Sequence, residues 1–198
     1  MTEAGKSKHI FTTEQIEQEL KRVRYKERYG RTLRSTIYAL ITVAAIAVLV
    51  AVLLLPVFQI YGHSMTPTLD DGDIVLSVKS GSVESQDIIA FYYNNKILVK
   101  RVIAEAGQWV DIDEEGNVGV DDILLEEPYL TDKAKGECDI ELPYQVPEGK
   151  VFVMGDHRSV SVDSRSSSVG CVAEEQIVGK LVYKVWPLDS VGKLNAMK

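Results

Sequence analysis

Residues 97–104 read Ile97-Leu98-Val99-Lys100-Arg101-Val102-Ile103-Ala104. The run is short and rich in β-branched residues, which fit a pleated, half-buried strand. In a strand, alternate side chains point to opposite faces. Leu98, Lys100, Val102 and Ala104 then share one face, and Val99, Arg101 and Ile103 the other. Similar runs lie on both sides: 73–78, 88–93 and 151–154. Asp71-Gly72, Asn94-Asn95, Glu115-Gly116-Asn117 and Glu148-Gly149 bound them as turn formers. Asn94-Asn95 predicts a hairpin, and the stretches 109–113 and 118–120 predict another across residues 114–117. Helical periodicity is weak here apart from a short turn at residues 173–176. The segment 59–198 is therefore predicted to be mainly β, a closed sheet, barrel or sandwich, because open edges invite aggregation.

Working outward toward the N-terminus, Ile37 to Phe58 carries no charge. At about 1.5 Å per residue it is long enough to cross a hydrocarbon core of roughly 30 Å. A cleaved leader would be shorter and nearer the start, so a retained single transmembrane helix over 37–58 is expected. Residues 1–36 hold nine Lys/Arg against five Asp/Glu, with Lys21, Arg22, Arg24, Lys26, Arg28, Arg31 and Arg34 beside the span. Residues 59–198 hold 13 against 24. The basic flank predicts a cytoplasmic N-terminus, an extracytoplasmic 59–198 domain and contact of that flank with the lipid bilayer. The acidic outer domain argues against a nucleic-acid partner. Thr12 and Gln15 have capping-box spacing, Ile16, Leu20 and Val23 fall on one face, and Gly30 is a plausible stop, so a short cytoplasmic helix precedes the span. Cys138 and Cys171 lie on the outer side, where a disulfide is permitted; two free thiols are the alternative. The scattered His9, His63 and His157 form no metal-ligand cluster, and no cofactor is expected.

The chemistry-bearing residues lie in the outer segment. Ser64, in Tyr61-Gly62-His63-Ser64-Met65-Thr66-Pro67-Thr68-Leu69, follows the apolar segment closely. A serine hydroxyl is a poor nucleophile until a base takes its proton. His63 is adjacent in sequence and points away in an extended chain, and no Ser-His-Asp set is visible. Lys100 sits on an apolar strand face. Burial there lowers the pKa of an amine, so Lys100 is a candidate base; a lysine snorkelling from a half-buried strand is the bland alternative. A third run, Gly155-Asp156-His157-Arg158-Ser159-Val160-Ser161-Val162-Asp163-Ser164-Arg165, is dense in polar groups directly after an apolar strand. Such groups are costly to order unless paired. Asp163 and Arg165 suit a charge-assisted pair, and the Ser161 hydroxyl suits the orientation of a neutral lysine amine.

Together these runs resemble, in order, the boxes of bacterial type I signal peptidases, in the compact Gram-positive form with one N-terminal anchor. Ser64-Met65-Thr66-Pro67-Thr68-Leu69 with Gly72-Asp73, Lys100-Arg101-Val102-Ile103, and Gly155-Asp156-His157-Arg158 with Ser161, Asp163-Ser164-Arg165 and Gly170 carry the resemblance. Glu127-Pro128-Tyr129 and Gly179-Lys180 also fit. The resemblance implies a membrane-anchored serine endopeptidase that removes signal peptides from exported preproteins near the export translocon, cleaving after small residues of Ala-x-Ala type. It implies Ser64 as nucleophile and Lys100 as general base. Ser161 would hydrogen-bond Lys100, and the Asp163–Arg165 pair would brace the site. The Ser64 N–H would form the oxyanion hole, with Gly62 where some relatives supply a second donor. Phe58, Gln59 and Ile60 resemble the strand that pairs with substrate, with Ile60 narrowing a small-residue pocket. The family pattern carries Asn where this chain has His157, and Ala104-Glu105-Ala106-Gly107-Gln108 departs from its Gly-x-Pro-Gly-Asp turn.

Three other readings compete. A tethered relative of self-cleaving Ser-Lys repressor proteases would need a DNA-binding N-terminus, for which residues 1–36 are too short. A sortase-like site would need a motif around Cys171, and none is present. A non-catalytic, membrane-anchored chaperone or scaffold for exported proteins would need neither Ser64 nor Lys100.

Overall fold

The computed structural model describes residues 13–54, 56–79 and 82–194. The chain divides into two compact units, Met1–Ala51 and Val52–Lys198.

The first unit is helical. Helix α1 runs unbroken from Thr13 to Leu54, and its described side chains are exposed. It passes through Gly30, where a stop was expected. A glycine costs a helix only about 1 kcal/mol relative to alanine, and the good helix formers flanking it outweigh that cost. Thr12 of the expected capping box lies outside the described residues. Within the helix, Thr36 and Thr42 donate their hydroxyls back to the Thr32 and Tyr38 carbonyls at 3.0 and 2.9 Å. These two hydroxyls are thus satisfied within the helix itself. Within Leu20–Val50 an 18-residue window reaches mean hydropathy 2.0, and the helix is by length and composition long and apolar enough to cross a membrane. Pro56 follows the helix end, and Val57–Gln59 is already strand β1, so the last residues of the uncharged segment are not helical.

The second unit is mainly β. The remaining strands are β2 (Ile74–Val78), β3 (Ile88–Tyr93), β4 (Lys96–Ala104), β5 (Trp109–Ile112), β6 (Val118–Val120), β7 (Ile123–Leu124), β8 (Tyr144–Gln145), β9 (Lys150–Met154), β10 (Val172–Ala173), β11 (Ile177–Trp186) and β12 (Gly192–Lys193). An eight-stranded antiparallel sheet has the order β1-β2-β11-β3-β4-β9-β10, with β12 on β11; a four-stranded sheet has the order β7-β6-β5-β8. Neither path returns to its start, so the expected closed sheet or barrel is not formed. Edge protection comes instead from brevity, since β1 has three residues and β10 two. Register shifts within β11 and β4 supply bends.

Both predicted hairpins are present. Asn94 and Asn95, at φ of 43° and 63°, make the two-residue turn between β3 and β4. Strand β5 pairs β6 with Val110 opposite Val120. The expected turn near residue 174 is a single 3-10 turn, Glu174–Gln176.

Strand β3 is buried on both faces. Ile88 and Ala90 join Ile60, Met65, Leu69, Val75 and Leu181 in one core; Ile89 and Phe91 join Val102, Val151, Val153 and Val172 in another. A third core seals the four-stranded sheet against Ile103, Ala104, Phe152 and Met154. The alternation expected along β4 holds as far as Val102. The shift between Val102 and Ala104 then puts Ile103 and Ala104 in the same core.

The outer edge of β1 and the first half of β4 are among the open backbone edges. Ser77 N–H donates to the Pro56 carbonyl at 2.9 Å, and Ile60 N–H to that of Asp73 at 2.8 Å. Residues 56, 58 and 60 thus turn their main chain toward β2, leaving the groups of Val57 and Gln59 on the open side. Strand β4 pairs β9 only from Arg101 onward, so residues 96–100 have β3 on one side alone.

Candidate active site

Ser64 lies in a tight turn between β1 and β2. The turn is pinned from below, because Met65 and Leu69 are buried in the core and Leu69 N–H donates to the Met65 carbonyl at 2.9 Å. Gly62 enters the turn at φ +90°, open to glycine, and its N–H donates to Asp71 Oδ1 at 2.7 Å. The exit is tied by Asp73, whose buried Oδ2 accepts the Asp70 N–H at 2.9 Å and pairs with Lys184 Nζ at 2.6 Å. Ser64 itself stays half-buried.

Lys100 Nζ is 2.6 Å from Ser64 Oγ. The lysine is 4% exposed. Burial brings its pKa down to about 8, with Arg165 adding to the depression while Asp163 and Asp156 oppose it. A neutral amine at hydrogen-bond distance from a serine hydroxyl has the geometry of a base and its nucleophile. No hydrogen bond from the Ser64 N–H occurs among the described residues.

Asp163 and Arg165 form a bidentate pair: Arg165 Nε donates to Oδ1 and Nη2 to Oδ2, both at 2.8 Å. Both side chains are fully buried. Burial would raise the Asp163 pKa, but Arg165 and the Gly155 N–H, which donates at 2.9 Å, hold it below the usual range. Arg165 also donates to the Lys135 and Ser161 carbonyls at 2.6 and 3.3 Å.

Ser161 is placed beside the turn but not as expected. Its Oγ is buried without a hydrogen-bond partner among the described residues, so the anticipated bond to Lys100 is not formed. Gly155 lies between Ser161 and the Ser64 main chain: a Cβ there would lie 2.5 Å from both Ser161 Cβ and the Ser64 carbonyl oxygen. That contact leaves no room for a side chain.

Phe58 is half-buried in β1, and Ile60 is 4% exposed within the core under the turn. Most of Ile60 is thus already packed against protein, which limits the pocket wall it was expected to offer.

Further buried groups had no role assigned from sequence. Arg101 pairs with Asp156 at 2.9 and 2.6 Å and stacks on the Tyr129 ring at 3.8 Å. Thr68 donates to Asp156 Oδ2 at 2.5 Å, tying this pair to the nucleophile turn. Glu127 pairs with Arg158 and accepts the Tyr129 hydroxyl at 2.9 Å. The signal was an arginine in an apolar strand and a run of alternating charges after another. Cys138 and Cys171 are not bridged.

Comparison with known proteins places these residues in a family. Residues 33–186, well over half of the chain, match the family described as signal peptidase, peptidase S26. Signal peptidase IB of Staphylococcus aureus is 35% identical over 152 residues, covering 67% of this chain and 78% of that protein. Thylakoidal processing peptidase 1, chloroplastic, of Arabidopsis thaliana is 35% identical over 145 residues; the match takes in 65% of this chain and only 41% of that protein. A crystal structure of a signal peptidase I from Enterococcus faecalis aligns with TM-score 0.44 and 28% identity, over 50% of this chain and 97% of that one. The chain belongs to the signal peptidase family, peptidase S26.

Proposed function

We propose that this chain is a membrane-anchored endopeptidase that frees exported preproteins from their signal peptides by a Ser64/Lys100 dyad. The observation that carries the reading is the 2.6 Å approach of Lys100 Nζ to Ser64 Oγ, with the amine pKa brought down to about 8 by burial.

Neutral Lys100 takes the Ser64 proton as Oγ attacks the scissile carbonyl carbon. The developing oxyanion is met by the Ser64 N–H. Collapse breaks the C–N bond, and the Lys100 ammonium returns the proton to the departing amine. An ester to Ser64 remains. Lys100 then takes a proton from water, which attacks the ester; as the C–O bond breaks, the ammonium returns that proton to Ser64 Oγ, releasing the signal peptide and restoring the neutral amine. Asp163 and Arg165 brace the floor of the site.

The substrate enters as an added strand between the open edges at Val57 and Gln59 and at residues 96–100. Phe58 and Ile60 lie beneath this path, and what remains of the pocket suits a small side chain, as in Ala-x-Ala. The apolar part of helix α1, from residue 37 to Leu54, anchors the enzyme, 1–36 face the cytoplasm against anionic lipid, and 59–198 face outward, close to the export translocon. The basic flank of the apolar stretch supports that orientation.

Incubation of the detergent-solubilised protein with a preprotein tests the reading. Cleavage after a small residue is expected, rising with pH through about 8 and absent in Ser64→Ala and Lys100→Ala. Undiminished cleavage by Lys100→Ala overturns the dyad. A parent protein inert toward several preproteins returns the chain to the chaperone or scaffold reading.

A further inference from the structure

We infer that His157 is a positioning residue for the nucleophile turn, acting through an imidazole that carries its proton on Nδ1. The inference rests on the proposed Ser64/Lys100 reading and adds to it the residue that holds Ser64 in register.

His157 touches the turn at three points. Its main-chain N–H donates to the Ser64 carbonyl at 3.1 Å. Its ring Nδ1 is 3.0 Å from Thr66 Oγ1 and 3.2 Å from the His63 carbonyl oxygen. The ring thus contacts the residue before the nucleophile and the one two places after it. On its other side, the His157 carbonyl accepts the Val160 and Ser161 N–H groups at 3.1 and 3.0 Å. One residue therefore joins the Ser64 turn to the Ser161 turn.

The tautomer follows from donor arithmetic. Thr66 has one hydroxyl proton, and the shorter of its Oγ1 contacts, 2.8 Å to the His63 carbonyl, takes it in this reading. A carbonyl oxygen only accepts. An unprotonated Nδ1 would set its lone pair against that oxygen and against the remaining Thr66 lone pairs. With the proton on Nδ1, one N–H is shared between two acceptors, and Nε2 carries the lone pair. Nδ1 keeps this proton in the imidazolium as well, so the contact persists whichever charge the ring bears.

The consequence for the reaction is positional. Displacing a reacting group by about 1 Å can cost on the order of a hundredfold in rate. The side chain has no path to the reacting atoms, so its loss is expected in kcat through Ser64 placement.

Two measurements on the full chain in detergent decide the matter. The first is the imidazole 15N spectrum of histidine-labelled protein, which has three histidines. The resonance lost in His157→Asn is expected to show a protonated Nδ1 and a bare Nε2; the opposite tautomer overturns the inference. The second is kinetics on a preprotein. His157→Asn retains a side-chain N–H at similar reach and is expected within about threefold of the parent. His157→Ala and His157→Asp, which lack that donor, are expected to lower kcat at least about tenfold, with KM changed by less than about twofold. A kcat for His157→Ala equal to the parent's overturns the inference, as does failure of Asn to rescue. Should the alanine variant not fold, the Asn and Asp variants and the 15N spectrum still decide. A parent protein that cleaves nothing defeats the proposed function, whereas the tautomer measurement judges the brace without any turnover.

Discussion

At the scale of single residues, Lys100 sets reactivity against stability. Its folded-state pKa of about 8 lies below the ordinary 10.5. Below about pH 8 both folded and unfolded chains hold the proton, and the folded state bears the full cost of a buried ammonium. Between about 8 and 10.5 the folded chain releases its proton first, so stability rises with pH across that window. A shift of that size corresponds to about 3 kcal/mol. Lys100→Met is therefore expected to be inactive yet more stable than the parent at pH 7, with the advantage fading toward pH 10.5; chemical denaturation at several pH values checks this. A methionine variant less stable at pH 7 would show that the lysine is not a buried charge. Asp163→Asn acts oppositely. It leaves Arg165 buried without its counter-charge, at a cost of about 3–5 kcal/mol. In the fraction that folds, losing a charge that raises the Lys100 pKa moves the rising limb of the pH–rate profile to lower pH.

At the scale of elements, what was legible in the sequence was local. Strands, hairpins and the Asn94-Asn95 turn are written in neighbouring residues, so alternation and turn chemistry found them. Sheet closure depends on register shifts and on which strands become edges, and these are settled by contacts between distant residues. The open form of the sheet was for that reason not predicted. Gly30 illustrates the converse: a local stop signal lost to a long continuous helix. The open side of β1 yields a test of its own. Gln59→Pro removes an outward N–H and leaves the bonds that residues 56, 58 and 60 make to β2. Weaker substrate binding is expected, seen as a higher KM on a peptide substrate with the thermal midpoint unchanged. An unaltered KM would place the substrate strand elsewhere.

At the scale of the whole molecule, the site is a convergence of three sequence-distant segments over a floor of buried ion pairs. The proximity of Ser64 to Lys100 was an expectation from order and resemblance, and the pairing of Asp163 with Arg165 from charge and spacing. The Arg101–Asp156 and Arg158–Glu127 pairs carried no comparable signal, because nothing in a single strand says which distant carboxylate will meet an arginine. Helix α1, at 42 residues, is about 63 Å long, roughly twice a hydrocarbon core. Much of it therefore extends beyond any span it makes. The thiols are a property of the complete chain as well: two are expected to titrate in denaturant without reductant, and none would indicate a bridge between Cys138 and Cys171.

The partly neutral lysine beside Ser64 also makes the protein open to modification at its site. At pH 7 about one Lys100 in ten is free base, against about one in three thousand for a lysine of ordinary pKa. Aldehydes and other electrophiles that capture unprotonated amines, if small enough to reach the serine, will meet in Lys100 a far larger free-base fraction than in a lysine of ordinary pKa. A reagent that captures that amine removes the base and silences the enzyme in the same step.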